Sequence, residues 1–165
     1  MATRGIDEET VFADFRLGRQ TVFGTSVGGF AANGGTCTAE CIPAADDGPT
    51  GTVLRAVANL PANAYAGVWF ENPPQGRIDL GKYRKLRFDV RSMGGQASWI
   101  LETKGQRQIL AACRVVVPPA KWHRINIPLT DLLGPEMLTL GFDEIVFKFT
   151  EPANHLLIGN VRFVK

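Results

Sequence analysis

The chain has 165 residues, 18 basic and 16 acidic side chains for a net charge of +2, and is 45% hydrophobic. That length suits one domain, and the composition supports a buried core. The balanced charge and the lack of a basic cluster speak against nucleic acid, and no segment approaches the roughly 18 consecutive apolar residues of a transmembrane helix.

In chain order, residues 1–9 read as a flexible N-terminal segment, and a single β domain is expected over 10–165. "TVFADF", Thr10 to Phe15, opens it as a strand. "GTSVGGFAANGGTCTAECIPAADDGPTG" is glycine-rich and predicts long loops with about two short strands. Strands are then expected in "TVLRAVANL" (Thr52 to Leu60), "AYAGVWFE" (Ala64 to Glu71), "KLRFDVRS" (Lys85 to Ser92), "ASWILETK" (Ala97 to Lys104) and "QILAACRVVV" (Gln108 to Val117). "WHRINIPL" (Trp122 to Leu129), "DEIVFKFT" (Asp143 to Thr150) and "LLIGNVRFV" (Leu156 to Val164) complete the set. Helical periodicity is almost absent; one turn at "LTDLLG", Leu129 to Gly134, is stopped by Gly134-Pro135. About nine short strands at this spacing describe an all-β sandwich or barrel.

Period-2 alternation assigns faces within each strand. In "LRFDVR", Leu86, Phe88 and Val90 point to the core and Arg87, Asp89 and Arg91 to the outside. Ala66, Val68 and Phe70 face in, leaving Tyr65, Trp69 and Glu71 out; Ile145, Phe147 and Phe149 face in, leaving Lys148 out. "SWILETK" reads either way, with Glu102 and Lys104 outward as the favoured assignment. Trp122 reads as core or edge packing.

Three cysteines, Cys37, Cys41 and Cys113, make no complete disulfide framework. Cys37 and Cys41 pair only if the chain turns between them. His123 and His155 are not spaced as zinc ligands. Glu71, Asp89 and Glu102 could approach one another as a glycosidase pair would, yet no nucleophile elbow or phosphate loop accompanies them. The domain therefore reads as no enzyme.

Four stretches carry a resemblance: "ADF" at Ala13 to Phe15; "YAGVWFENPPQGRIDLGKYRKLRFDVRS" with its "DLGKYRKLRF" hinge; "AKWHRINIPLTDL", Ala120 to Leu132; and "FDEIVFKF" followed by "HLLIGNVRFV". Together they resemble the galactose-binding-like jelly rolls, in particular the non-catalytic carbohydrate-binding modules of glycanases. The resemblance implies a two-sheet jelly-roll β-sandwich whose concave sheet face binds a polysaccharide or oligosaccharide, β-glucan being one example. Trp69 would stack on sugar C–H faces, and Glu71, Arg87, Asp89, Glu102 and Lys148 would meet the hydroxyls. The competing reading of that face is a solvated sheet with cross-strand ion pairs, each contributing on the order of 0–1 kcal/mol.

The resemblance also implies one structural calcium. The usual carboxylate of the last strand is Asn160 here, with Asp14 and the Asp46–Asp47 loop as further oxygen donors. A linked catalytic domain and an extracellular setting go with a glycanase module, although "MATRGIDEETVF" does not read as a signal peptide. The pattern also resembles the respiratory complex I assembly factors, which share the jelly roll. "GTSVGGF" is a loose match to their motif, and the alternative function is an intracellular protein-interaction module.

Overall fold

A computed structural model describes residues 8–45, 47–49, 51–73, 78–106, 108–134 and 141–165. Its strands are β1 (Glu9–Ala13), β2 (Val27–Ala32), β3 (Thr36–Pro43), β4 (Thr52–Asn59), β5 (Tyr65–Glu71) and β6 (Lys85–Ser92). There follow β7 (Ala97–Gly105), β8 (Gln108–Val117), β9 (Trp122–Pro128), β10 (Glu144–Phe149) and β11 (Ala153–Val164), with one short helix, α1 (Leu129–Leu132). All ladders are antiparallel. The first sheet runs β3-β4-β11-β6-β9, with β1 beside β11; the second runs β2-β5-β10-β7-β8. This is the expected two-sheet sandwich. Among the described residues no helix is long and apolar enough to cross a membrane.

The alternation read from sequence holds in every strand that it addressed. Leu86, Phe88 and Val90 from the first sheet meet Val68, Phe70, Trp99, Leu101, Ile145, Phe147 and Phe149 from the second, all buried. The rings interlock across the layers, with Phe147 5.1 Å edge-on from Phe88 and 5.5 Å from Phe70. The "DLGKY" hinge closes one margin of the sandwich. Leu80 is buried in a 3-10 turn capped by the Asp79 carboxylate, and the Tyr83 ring lies 5.7 Å from Phe163.

Two boundaries differ from expectation. The first strand ends at Ala13, because Phe15 takes a left-handed φ of 60° and turns its ring into the core, 6.1 Å from Phe70. Such a backbone is unfavourable for a bulky residue, and burial of the ring offsets it. The domain starts before residue 10. Glu9 already pairs with Val164 and its carboxylate is shared by Arg87 and Arg162, while Glu8 meets Lys165; residues 1–7 lie outside the described residues. The glycine-rich stretch holds two strands as expected, β2 and β3, joined by a turn at Asn33 and Gly34 with φ 56° and 84°. That two-residue turn carries the chain from the second sheet to the first.

Cys37 and Cys41 both lie on extended β3, and all three cysteines are free. A strand rises about 3.3 Å per residue, which puts their Cα atoms about 13 Å apart, beyond the roughly 7 Å limit of a disulfide. Burial pushes each thiol above its usual pKa, so the reactive thiolate is scarce near neutral pH. A reducing agent should leave the melting temperature unchanged, and iodoacetamide at pH 7 should modify native protein more slowly than urea-unfolded protein. Rapid alkylation of the folded chain would contradict this burial.

Candidate functional site

The outer face of the second sheet gathers the aromatic and charged side chains. Register fixes its rows from β2 to β7. The first holds Glu71, Glu144 and Lys104; the next Gly28, Trp69, Val146 and Glu102; the third Phe30, Gly67, Lys148 and Ile100. On β8, Ala112 extends the second row and Arg114 the third. Tyr65 stands beyond, opposite Ala32.

Two glycines shape this surface. A Cβ on Gly28 would lie 2.7 Å from Trp69 Cζ2, and one on Gly67 would lie 2.9 Å from the Phe30 ring. Each ring thus rests against the backbone of the neighbouring strand, Trp69 on β2 and Phe30 on β5, both partly exposed. A ring seated on backbone is held by packing, so little rotamer freedom is left to lose on binding.

Charged side chains close over the middle. Glu102 is buried, its carboxylate 3.9 Å from Lys104 Nζ and 3.7 Å from Lys148 Nζ. Lys104 Nζ lies 5.9 Å from the Phe30 ring centroid and Lys148 Nζ 5.9 Å from that of Tyr65. Each ammonium therefore sits between a carboxylate and a ring, and cation–π attraction adds about 0.5–1 kcal/mol at such partly exposed sites. Beneath them Val146 is 1% exposed although it points outward. The side chains of β7 and β2 converge over β10. Glu71, at the sheet's end, accepts a 3.1 Å hydrogen bond from the Ser26 backbone N–H.

Of the six predicted ligand residues, Trp69, Glu71, Glu102 and Lys148 share this face. Arg87 and Asp89 do not. They stand on β6, in the first sheet, on the opposite side of the molecule. There they tie strands together: Arg87 Nε donates to Asn126 at 2.7 Å and pairs with Glu9. Asp89 accepts from Arg124 Nε at 2.9 Å and from Asn160 Nδ2 at 3.0 Å. The carboxylate raises the Arg124 pKa above its already high value. Arg91 bonds Asp47 at 3.0 Å, while Gly48 lies against Trp122 and Pro49 against Gly159. The loop after β3 thus covers part of that outer surface.

Phe30 is absent from the predicted site, because the two strands expected in the glycine-rich stretch carry no bounds or faces in the sequence reading. "VGGF" before Asn-Gly was the available signal, since Asn-Gly marks a tight turn between extended segments. Tyr65 and Lys104 were placed outward, but neither they nor Arg114 were assigned to a site.

Calcium is poorly matched by the side chains at its expected place. Asp14 accepts 2.7 Å from Arg16 Nε, and Asn160 directs its N–H donors at Asp89. Among the described residues no three His, Cys, Asp or Glu side chains gather as a metal shell; Asp46 lies outside them. A cation of this kind needs six to eight oxygens, so backbone carbonyls would have to supply most of them beside Asp14 and Asn160.

No family model and no curated protein matches the chain. Solved structures do. The family 11 carbohydrate-binding module of Clostridium thermocellum, in complex with a β-1,3-1,4-mixed-linked tetrasaccharide, superposes with a TM-score of 0.69 at 18% identity, over 94% of this chain and 95% of that one. A family 29 carbohydrate-binding module gives a TM-score of 0.58 at 15% identity, over 96% of this chain and 91% of that one. An exo-β-agarase gives 0.65 at 13% identity, over 94% of this chain and 25% of that one. The fold is thus the galactose-binding-like jelly roll of these modules.

Proposed function

We propose that this chain is a non-catalytic carbohydrate-binding module that holds a polysaccharide on the outer face of the second sheet. One observation carries the reading: Trp69 and Phe30 are seated against glycines of one sheet face, beside two ammonium groups that pair with Glu102. Pyranose rings of a β-linked chain show C–H patches that pack on such aromatic faces, and their rims take hydrogen bonds from the lysines and Tyr65. The mixed-linkage glucan fragment held by the family 11 module supports a β-glucan-like backbone as the ligand.

The same face is unsuited to hydrolysis. Its carboxylates are Glu71, turned to the Ser26 amide, Glu144, and Glu102, sealed under two lysines. Glu71 and Glu102, both already engaged, are poor proton donors to a leaving group, which supports the non-catalytic reading. The agarase match over a quarter of that longer chain supports action beside a linked catalytic domain.

Affinity on an open face should fall between about millimolar and micromolar, because many polar groups are desolvated on binding. Native gels cast with single polysaccharides, neutral and acidic, with mixed-linkage β-glucan first, should retard the wild type. Trp69→Ala should run as in an empty gel while keeping the wild-type melting temperature to within a few degrees. Retention of Trp69→Ala equal to wild type would move the site elsewhere. A folded wild type retarded by no polymer would leave the protein-interaction alternative.

A further inference from the structure

Among the described residues, the two middle rows of this face expose donors and apolar groups. Their polar side chains are Trp69, Lys148, Arg114 and Glu102. Indole, ammonium and guanidinium groups donate hydrogen bonds and accept none. The one acceptor, Glu102, has a side chain only 4% exposed, against 32% for Lys104 and 35% for Lys148. Both lysine nitrogens stand 3.7 Å or more from its oxygens, too far for hydrogen bonds. Glu102 therefore offsets charge without using the N–H donors. Arg114 gives one nitrogen to Ser98 Oγ at 2.8 Å. Acceptor-bearing side chains lie at the margins: Glu71 and Glu144 in one outer row, Tyr65 and Ser98 in the other.

A sugar hydroxyl both donates and accepts, so a neutral ring pressed on these rows would leave its own protons facing donors. A carboxylate or a sulfate ester only accepts. Lys104, Lys148 and Arg114, set against Glu102 and against Glu144 opposite Lys104, also leave one net positive charge around the lysine pair, partly withdrawn from water, where attraction to an anion is stronger than at an open surface.

We infer that the bound polysaccharide carries acidic groups, and that one of them docks between Lys104 and Lys148; this rests on the carbohydrate-binding reading above. The aromatic platform takes the backbone of the polymer and the lysine pair selects its charge.

Calorimetric titration with three tetrasaccharides of one backbone tests it: cellotetraose, its C6-oxidised tetraglucuronate counterpart, and its 6-O-sulfated counterpart. At low salt at least one acidic ligand should bind about tenfold tighter than cellotetraose, and 0.5 M NaCl should remove most of that difference. Lys148→Gln and Lys104→Gln should each weaken the acidic ligand by about three- to tenfold and weaken cellotetraose by a smaller factor, so that the preference for the acidic ligand narrows. Glu102→Gln removes the balancing anion and should tighten the acidic ligand, an effect that a damaged fold would not produce. The preferred acidic ligand identifies carboxylate or sulfate as the source of the charge. Cellotetraose binding as tightly as both acidic ligands overturns the inference while leaving the carbohydrate reading intact. Absence of binding by either acidic ligand overturns it too, and the polysaccharide gels then decide the reading beneath it.

Discussion

Phe147→Ala should destabilise the domain by about 3–5 kcal/mol, the range for deleting a buried aromatic ring. Phe147 is fully buried at the centre of β10 and joins the two layers. Its ring stacks on Trp99 at 5.9 Å, meets Phe70 at 5.5 Å, and meets Phe88 of the opposite sheet edge-on at 5.1 Å. Alanine would leave a void bounded by three large rings, each held in place by its own strand and unable to collapse inward. For a chain of this size the melting temperature should fall by about 6–20 °C. Phe30→Ala is the matched control. That ring lies on the outer face, partly exposed, and its loss should cost under about 1.5 kcal/mol of stability while weakening ligand binding. Similar melting temperatures for the two variants in a thermal scan would mean that Phe147 does not bridge the sheets.

The contrast between these two phenylalanines also marks how far the sequence could be read. Phe147 lies in "EIVFKF", where strict alternation declares its inward face without any knowledge of neighbours. The same rule placed Leu86, Phe88 and Val90 inside and Trp69, Glu102 and Lys148 outside, and all six assignments hold. Alternation describes the two sides of one strand; it does not say which sheet the strand joins. Arg87 and Asp89 do point outward, but β6 pairs with β11 and β9, on the other layer from β5. Their charges serve the ladder itself, through Glu9, Arg124 and Asn160. The seats of the aromatic rings were hidden for a related reason. Gly28 faces Trp69, and Gly67 faces Phe30, only because β2 pairs with β5 in one register. A slip by one residue would turn Phe30 inward. Such pairings are non-local, and the glycine-rich composition left the two strands expected there without bounds or register.

The register argument makes its strongest demand at Gly67. A Cβ there would run into the Phe147 carbonyl oxygen as well as the Phe30 ring. The ring can swing away; the carbonyl belongs to the central strand and cannot move without opening the β5–β10 ladder, where Gly67 faces Lys148. Gly67→Ala should therefore cost about 1–3 kcal/mol through forced backbone shifts. It should also lift Phe30 off its seat and move Lys148, so binding falls together with stability. The double variant Gly67→Ala/Phe30→Ala separates the two contacts. If the backbone contact dominates, deleting the ring restores almost none of the lost stability, and chemical denaturation gives a midpoint close to that of Gly67→Ala alone. Recovery to the wild-type midpoint would instead assign the whole penalty to the ring. β5 and β10 would then have room to spare, and the platform would owe its flatness to Phe30 packing rather than to the close approach of two strands.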